Sequence, residues 1–199
     1  MDDRLSRILE EIYESGVKHD SKTADRTKCM LNITPDTGRF LSILVRAVRA
    51  ERVLEIGTSN GYSTIWIADA LRQKGGKVVS VEVSQEKEAM ARMNLERSGL
   101  VDSVDFHEGD AGAFLKTLDS HSFDLIFMDA ERTQYLSYWK DVDRVLRPGG
   151  TLIVDNAIEP RPEELVDFFA RVNGTGQYIS QVLPVGKGEF LAIKLEIAR

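Results

Sequence analysis

The sequence predicts one α/β domain, with a doubly wound, mostly parallel sheet and an antiparallel hairpin at its C-terminal edge. Compact apolar runs alternate with helical segments from residue 51 onward, and a glycine-containing turn follows the first run. Near the C-terminus only a few residues, within VGKG, separate two further apolar runs. Strands separated by single helices imply right-handed crossovers and a parallel sheet, whereas so short a connection implies an antiparallel pair.

The N-terminal part is predicted to be helical. Apolar residues recur at helical spacing over residues 5–13, which predicts a short amphipathic helix, and the polar residues 19–28 predict a loop or a frayed helix. Thr34 followed by Pro35 is typical of an N-cap and the first position of a second helix. We therefore divide the single domain, residues 1–199, into N-terminal helices over residues 1–48 and a Rossmann-like core over residues 49–199.

Strands and helices then alternate along the core. The predicted strands are RVLEIG, KVVSVEV, VDFHEG, FDLIFMD and GTLIVDN, and the predicted helices cover residues 63–71, 85–98, 111–118 and 134–146. The motif RPGG predicts a helix stop and a turn after the last of these helices. A further helix over residues 162–172 precedes the hairpin, whose strands are QYISQVLPV and EFLAIKLEI.

Composition limits the class of protein. The chain has 199 residues, 42% hydrophobic and 29% charged, which suits one globular domain. Its net charge of -6 argues against a nucleic-acid-binding protein, because phosphate neutralisation requires clustered lysine and arginine. The single cysteine, Cys29, permits no internal disulfide. With no secretory signal and no apolar run of membrane-spanning length, we expect a cytoplasmic protein without a membrane partner.

The segment VLEIGTSNGYST carries the clearest local signal for a ligand. A strand ends near Glu55, Gly57 and Gly61 permit a tight turn, and a helix follows, as a site at the carboxyl edge of a parallel sheet requires. Ser59 stands where a dinucleotide fingerprint has its second glycine, and Glu55 would repel phosphate. A cationic ligand such as S-adenosylmethionine (SAM), with its sulfonium and ammonium groups, suits the acid better. The alternative is a turn that binds nothing.

Glu82 ends the next predicted strand, 25 residues after Gly57. A carboxylate at this position can accept hydrogen bonds from both ribose hydroxyls of a nucleoside ligand. The alternative is an ordinary solvated acid at a strand end.

Two further strands end in acids. Asp129 follows FDLIFM, and Asp155 with Asn156 follows GTLIV. If these strands are neighbours, their carboxyl ends converge and three oxygen donors face one point. Such a donor set favours Mg²⁺, with Mn²⁺ or Ca²⁺ as other candidates. The alternative is that Asp155 and Asn156 are ordinary turn residues.

These motifs together resemble a known family. Residues 34–194 are similar to the small cation-dependent O-methyltransferases, the group of catechol and caffeoyl-CoA O-methyltransferases and their bacterial relatives. The similarity extends over TPDTGRFLSILVR, VLEIGTSNGYST, VVSVEV, EGDA, FDLIFMDAERTQY, LRPGGTLIVDN and LPVGKGEFLAIK. It implies a class I methyltransferase fold, SAM as cofactor, Mg²⁺ or Mn²⁺ or Ca²⁺ as metal, a small vicinal-dihydroxy acceptor and a homodimer.

The resemblance also implies roles for individual residues. Asp110 and Ala111 flank the adenine, Asp129 lies near the methionine part of the cofactor, and the tract after TADRTKCMLN covers the site as a lid. The implied cofactor-binding residues are Glu55, Gly57, Thr58, Ser59, Tyr62, Ser63, Glu82, Val83, Asp110, Ala111 and Asp129. The implied metal ligands are Asp129, Asp155 and Asn156, and the implied catalytic residues are Asp129 and Arg132.

Two positions depart from the family pattern. Arg132 stands where relatives carry a lysine base, and a guanidinium stays protonated, so it cannot accept the proton. It can stabilise a developing oxyanion by its charge, or it can be a surface residue that pairs with Glu131 or Asp155. The segment AIEPRPEELVDFF replaces a longer, tryptophan-containing loop, which implies a wider acceptor site or one completed by a partner chain.

Three other functions stay open at this level. The chain can methylate a hydroxylated tRNA base, it can be a SAM-binding module that lacks catalysis, or it can be a nucleotide-linked dehydrogenase. Net charge argues against the first, Arg132 keeps the second open, and Glu55 with Ser59 argues against the third.

Overall fold

A mixed seven-stranded sheet forms the centre of the protein, for which a computed structural model describes residues 2–196. The strand order is β3-β2-β1-β4-β5-β7-β6. Strands β1 to β5 run parallel, and β7 pairs antiparallel with both β5 and β6. The strands are β1 (Arg52–Ile56), β2 (Lys77–Glu82), β3 (Val104–Glu108), β4 (Phe123–Met128), β5 (Leu146–Val154), β6 (Tyr178–Leu183) and β7 (Glu189–Lys194). The predicted fold class is confirmed.

Helices cover both faces of the sheet, as a parallel sheet with strands buried on both sides requires. Alternate residues of β1 face opposite layers, so that Val53 packs in one core and Leu54 in the other. The first core contains residues of α1 (Asp3–Asp20), α2 (Pro35–Ala47), α3 (Tyr62–Leu71) and α4 (Gln85–Ser98). The second contains residues of α5 (Ala111–Leu115), α6 (Tyr135–Val145) and α7 (Val166–Gly174). No helix within residues 2–196 combines the length and the apolar character that crossing a membrane requires.

Helix α1 is longer than predicted. It begins after Asp2, whose side chain accepts the backbone N–H of Leu5, and it continues to Asp20 instead of ending near residue 13. The apolar stripe ends before the helix does. The last turn of the helix is held by hydrogen bonds to the following segment, because the Asp20 carboxylate accepts the N–H groups of Met30 and Leu31. Helix α2 begins with Thr34 as its N-cap and Pro35 in its first turn, as predicted.

The helix stop predicted at RPGG is confirmed, but the chain continues there as a strand with a bulge instead of a separate turn. Helix α6 ends at Val145 and β5 begins at Leu146, so that RPGG lies inside the strand. Phe123 pairs with Leu146 and Leu125 with Thr151, which leaves the extra residues of β5 in a bulge. The paired residues on either side, Leu146 and Thr151, keep this segment within the strand, and Gly149 in the bulge has a left-handed φ of 72°. The hairpin strands are confirmed, although Ile197, the last residue of the predicted second strand, lies outside the described residues.

Candidate active site

The turn after β1 brings the ends of β1 and β4 into contact. Gly57 and Gly61 have φ of 104° and 83°, a region that glycine enters without strain. A Cβ on Gly57 would overlap the carbonyl oxygen of Asp129. Glycine is therefore required here by the backbone conformation and also by the close approach of the neighbouring strand end.

Glu55 lies beneath this turn and is fully buried. Its carboxylate accepts hydrogen bonds from Ser63 at 2.6 Å, Thr64 at 2.5 Å and Ser80 at 2.6 Å. Burial raises the pKa of Glu55 to about 7, and the three hydroxyl donors oppose that rise. Ser80 links the carboxylate to Thr58 in the turn, and Ser63 links it to the start of α3. The predicted contact of Glu55 with a cofactor stays a prediction.

Glu82 holds the turn from the adjacent strand. One carboxylate oxygen accepts the N–H of Ser59 at 2.8 Å and the other accepts the N–H of Ser84 at 3.0 Å. The side chain is buried, so it is not the solvated strand-end acid of the alternative interpretation. Each oxygen keeps a second lone pair for a ligand.

Residues 30–33 of the N-terminal part close over the turn. The Ser59 hydroxyl donates to the carbonyl of Met30 at 2.7 Å, and the Lys87 ammonium donates to the carbonyl of Cys29 at 2.8 Å. The cavity that remains measures about 10 Å³, which is room for one water molecule at most and far less than a typical ligand pocket. Its lining residues are Met30, Leu31, Asn32, Ile33, Gly57, Thr58, Ser59, Asn60, Tyr62, Ser63 and Asp129.

The other predicted cofactor residues fall into two classes. The side chains of Thr58 and Tyr62 are buried and have partners: Thr58 bonds Ser80 at 2.6 Å, and the Tyr62 ring lies 5.7 Å from the ring of Tyr13. Val83, Asp110 and Ala111 instead lie at the surface of the sheet edge. Val83 is 75% exposed, and Asp110 caps α5 through the N–H of Ala113.

Asp129 and Asp155 lie side by side at the ends of β4 and β5. The register pairs Met128 with Val154, and the N–H of Asp155 donates to the carbonyl of Met128 at 3.1 Å. Burial raises the pKa of Asp129 well above its ordinary value, and the charges of Asp155 and Glu55 raise it further. Burial also raises the pKa of Asp155. Sequence reasoning predicted this neighbourhood of two carboxylates, and the structure contains it.

Asn156 and Glu189 complete the surroundings of Asp155. Asn156 adopts a left-handed φ of 62° and its side-chain amide donates to Asp155 at 2.9 Å. Glu189, at the start of β7, is fully buried, and its pKa is raised to about 10 by burial and by the charge of Asp155. We call Asp129, Asp155 and Glu189 the acidic group. Sequence reasoning missed Glu189; the available signal was an acid at the first position of an otherwise apolar strand.

The donor set at these strand ends fits a hard divalent cation. Within residues 2–196, no lysine or arginine nitrogen lies within 4.0 Å of a carboxylate oxygen of the acidic group. Lys187 and Arg132 act on Asp129 and Asp155 only from a longer distance, and oxygen donors are those that Mg²⁺ prefers. The same described residues contain no group of three His, Cys, Asp or Glu side chains arranged to hold a metal by themselves. A cation held here would need the amide of Asn156 as well as the carboxylates of Asp129 and Asp155.

Arg132 is buried and has partners that neither interpretation predicted. Its guanidinium lies 3.2 Å from the carboxylate of Glu164 and donates to the carbonyl of Pro160 at 2.6 Å. A longer bond of 3.4 Å reaches the carbonyl of Asn156. The expectation of a surface residue paired with Glu131 or Asp155 is wrong, because the folded segment after β5 encloses the side chain and supplies its partners.

Comparison with known proteins identifies the family. The O-methyltransferase family profile matches residues 4–160. The chain belongs to this family. It is 37% identical over 160 residues to a catechol O-methyltransferase of Niastella koreensis, covering 79% of this chain and 67% of that protein. It is 40% identical over 126 residues to a catechol O-methyltransferase of Mycobacterium tuberculosis, covering 63% of this chain and 57% of that protein.

Solved structures of O-methyltransferases share the fold over nearly the whole chain. An O-methyltransferase from Bacillus cereus in complex with SAH has a TM-score of 0.81 and 30% identity, covering 94% of this chain and 90% of that one. The O-methyltransferase TomG from Streptomyces achromogenes in complex with SAM has a TM-score of 0.79 and 28% identity, covering 98% and 91%. The family and fold implied by the sequence motifs are confirmed.

Proposed function

We propose that this protein is a SAM-dependent O-methyltransferase that methylates one hydroxyl of a small catechol-like, vicinal-dihydroxy acceptor with the help of a divalent cation. The observation that carries the proposal is the side-by-side position of Asp129 and Asp155 at the ends of β4 and β5, next to the glycine turn after β1. One edge of the sheet thus offers a nucleoside-binding turn and a cation-binding group in contact with each other.

The cofactor is proposed to lie over the turn at Gly57. Glu82 has lone pairs available for the ribose hydroxyls, and the Ser63 hydroxyl, oriented by Glu55, faces the cavity that would receive the methionine part. The exposed Val83, together with Asp110 and Ala111, offers a surface for the adenine. Because the cavity measures only about 10 Å³, residues 30–33 must move before SAM enters, which supports the predicted role of the N-terminal part as a lid.

The acceptor is proposed to bind beside Asp129, where Asp155 and Asn156 supply the remaining oxygen donors. A divalent cation held there would lower the pKa of an acceptor hydroxyl and stabilise its anionic form. The chain itself contributes positioning: it must align the acceptor oxygen with the sulfonium methyl, so that the oxygen–carbon bond forms as the carbon–sulfur bond breaks. The hydroxyl proton passes to water, because Arg132 stays protonated.

Arg132 is proposed to act through the segment that follows β5. Its bonds to Glu164 and to the carbonyls of Pro160 and Asn156 fix the loop that carries Asn156. Its positive charge also opposes the rise in the pKa of Asp129. A homodimer, a cytoplasmic location and the absence of a nucleic-acid partner stay predictions.

The experiment that tests the proposal separates binding from turnover. In separate calorimetric titrations, SAM should give binding heat and the dinucleotide NAD⁺ should give none. Labelled SAM and a panel of catechols should then give methylated product with Mg²⁺ and little with excess EDTA. Binding of SAM without turnover of any catechol, with or without Mg²⁺, would contradict the enzymatic proposal and favour a non-catalytic module. Equal turnover with Mg²⁺ and with EDTA would contradict only the proposed role of the cation and not the methyltransferase activity.

A further inference from the structure

Glu189 is a buried acid with one oxygen that no protein donor satisfies. Its Oε1 accepts the hydroxyl of Thr37 at 2.8 Å, whereas no hydrogen-bond donor among the described residues reaches its Oε2. Burying a carboxyl oxygen without a hydrogen-bond partner costs free energy. The residue next to Oε2 therefore indicates what Glu189 does.

That neighbour is Asp155. The last registered pair of β5 and β7 joins Val154 to Phe190, and one further step places Asp155 opposite Glu189. Residues opposite each other in an antiparallel pair project to the same side of the sheet, with Cβ atoms about 5 Å apart. The two carboxyls therefore face each other, and a hydrogen bond between them requires one shared hydrogen, because two ionised carboxylates have no donor.

The far side of Glu189 is anchored to the start of α2. The Thr34 hydroxyl donates to Thr37 at 3.2 Å, and Thr37 donates in turn to Glu189. The turn between β6 and β7 packs directly against these threonines, since a Cβ on Gly186 would overlap the Thr37 hydroxyl. Glu189 therefore has little freedom to rotate away from Asp155.

We propose that Glu189 is a positioning residue for the cation site: anchored by Thr37, it holds Asp155 by a hydrogen bond in the orientation that faces Asp129. This inference rests on the proposed function, because it assumes that Asp155 binds the cation. Ligands of a metal are commonly oriented by such outer partners. The role is one of hydrogen bonding, and neither carboxyl has to change protonation during the reaction.

The test compares two substitutions of Glu189 by the calorimetric affinity for Mn²⁺, with SAM affinity and thermal unfolding measured on the same samples. Glu189→Gln keeps the shape and offers an N–H to Asp155 and an oxygen to Thr37, so Mn²⁺ affinity should stay within about twofold of the wild type. Glu189→Leu removes the hydrogen bond and should weaken Mn²⁺ binding about 10- to 100-fold. Neither change should alter SAM affinity.

Thr37→Val removes the hydrogen bond that anchors Glu189 and leaves both carboxyls in place. If the Glu189→Leu protein does not fold, Thr37→Val becomes the decisive variant. It should weaken Mn²⁺ binding about fivefold, the effect of one lost hydrogen bond. Tyr178→Phe is the matched control, because it removes a hydroxyl that donates to the remote Asp143 at 2.7 Å. It should leave Mn²⁺ affinity unchanged.

The outcomes separate this inference from the proposed function. Wild-type Mn²⁺ affinity in both Glu189→Leu and Thr37→Val would overturn the inference and leave the cation site intact. Equal loss in Glu189→Gln and Glu189→Leu would overturn it in favour of Glu189 as a charged ligand. Absence of Mn²⁺ binding to the wild-type protein, or binding that Asp155→Asn leaves unchanged, would overturn the cation site itself and the inference with it.

Discussion

Two buried sets of acids lie at the same edge of the sheet and differ in how they are satisfied. Glu55, beneath the turn after β1, receives three hydroxyl donors. The acidic group at the ends of β4 and β5 receives only Thr37 and Asn156, and no cationic side chain among the described residues lies within 4.0 Å of it. The two sets are alike in burial and differ in the number of donors around each carboxyl. This difference is the reason that we propose a cation site at the acidic group and not at Glu55.

Asp155→Asn tests the difference between the two sets of acids and should have the largest effect. Loss of one carboxylate should lower kcat/KM with Mg²⁺ on the order of 10³-fold, since the charge of the acceptor oxygen loses its stabilisation. The metal-free variant should unfold at the same or a higher urea concentration than the wild type, because a buried like charge is removed.

Asp105→Asn is the control for that change. Asp105 is an exposed acid of β3 that lies 3.8 Å from Lys77, so neither kinetics nor stability should change measurably. Full Mg²⁺-dependent activity of Asp155→Asn would show that the acidic group has no part in catalysis.

Gly57→Ala tests the contact between the turn and Asp129. The positive φ and the overlap with the Asp129 carbonyl should together lower the free energy of unfolding by more than about 3 kcal/mol and abolish SAM binding. Gly99→Ala is the control, since its φ of 68° is similar but a Cβ there meets nothing within 4 Å. It should cost about 1 kcal/mol in urea unfolding and leave SAM affinity unchanged. Similar losses in both variants would mean that backbone strain alone matters.

The pKa of Glu55 predicts a pH dependence of stability. Its folded value of about 7 is raised above the unfolded value of 4.5, so the folded state retains a proton that the unfolded state has released. The resulting stabilisation is full below pH 4.5 and is lost as pH rises from about 4.5 to about 7, by up to about 3 kcal/mol. Glu55→Gln has no such titration. The difference in urea unfolding between the two proteins should follow this window, and a constant difference would contradict it.

The smallest expected effect is that of Arg132→Lys. A lysine keeps the charge but loses the fork that reaches Glu164 and the carbonyl of Pro160 together, so the free energy of unfolding should fall by about 1–2 kcal/mol. Because the loop that carries Asn156 loosens, kcat/KM should fall severalfold. An increase in kcat/KM with an alkaline pH optimum would instead identify position 132 as the site of a missing base.

Sequence prediction succeeded for features that depend on nearby residues in the chain and failed for features that depend on distant ones. Strand ends, the helix N-cap at Thr34 and the glycine turn depend on neighbours within a few residues, so Glu82, Asp129 and Asp155 were found at the sheet edge as expected. RPGG ends helix α6 as expected, but its conformation as a bulge within β5 depends on the strand pairs on either side of it. The surface alternative for Arg132 is wrong. Its partner Glu164 is 32 positions away and joins it only through the fold of the segment after β5, which no local pattern shows.

The sequence by itself determined the parallel core, the turn that requires Gly57 and the acids that end β4 and β5, since alternating apolar runs and glycine stereochemistry act locally. Only the tertiary structure decided that residues 30–33 close over the turn, that Glu55 lies beneath it and that Glu189 stands opposite Asp155. These features arise from pairing and packing between distant segments, and no local pattern encodes which segments meet.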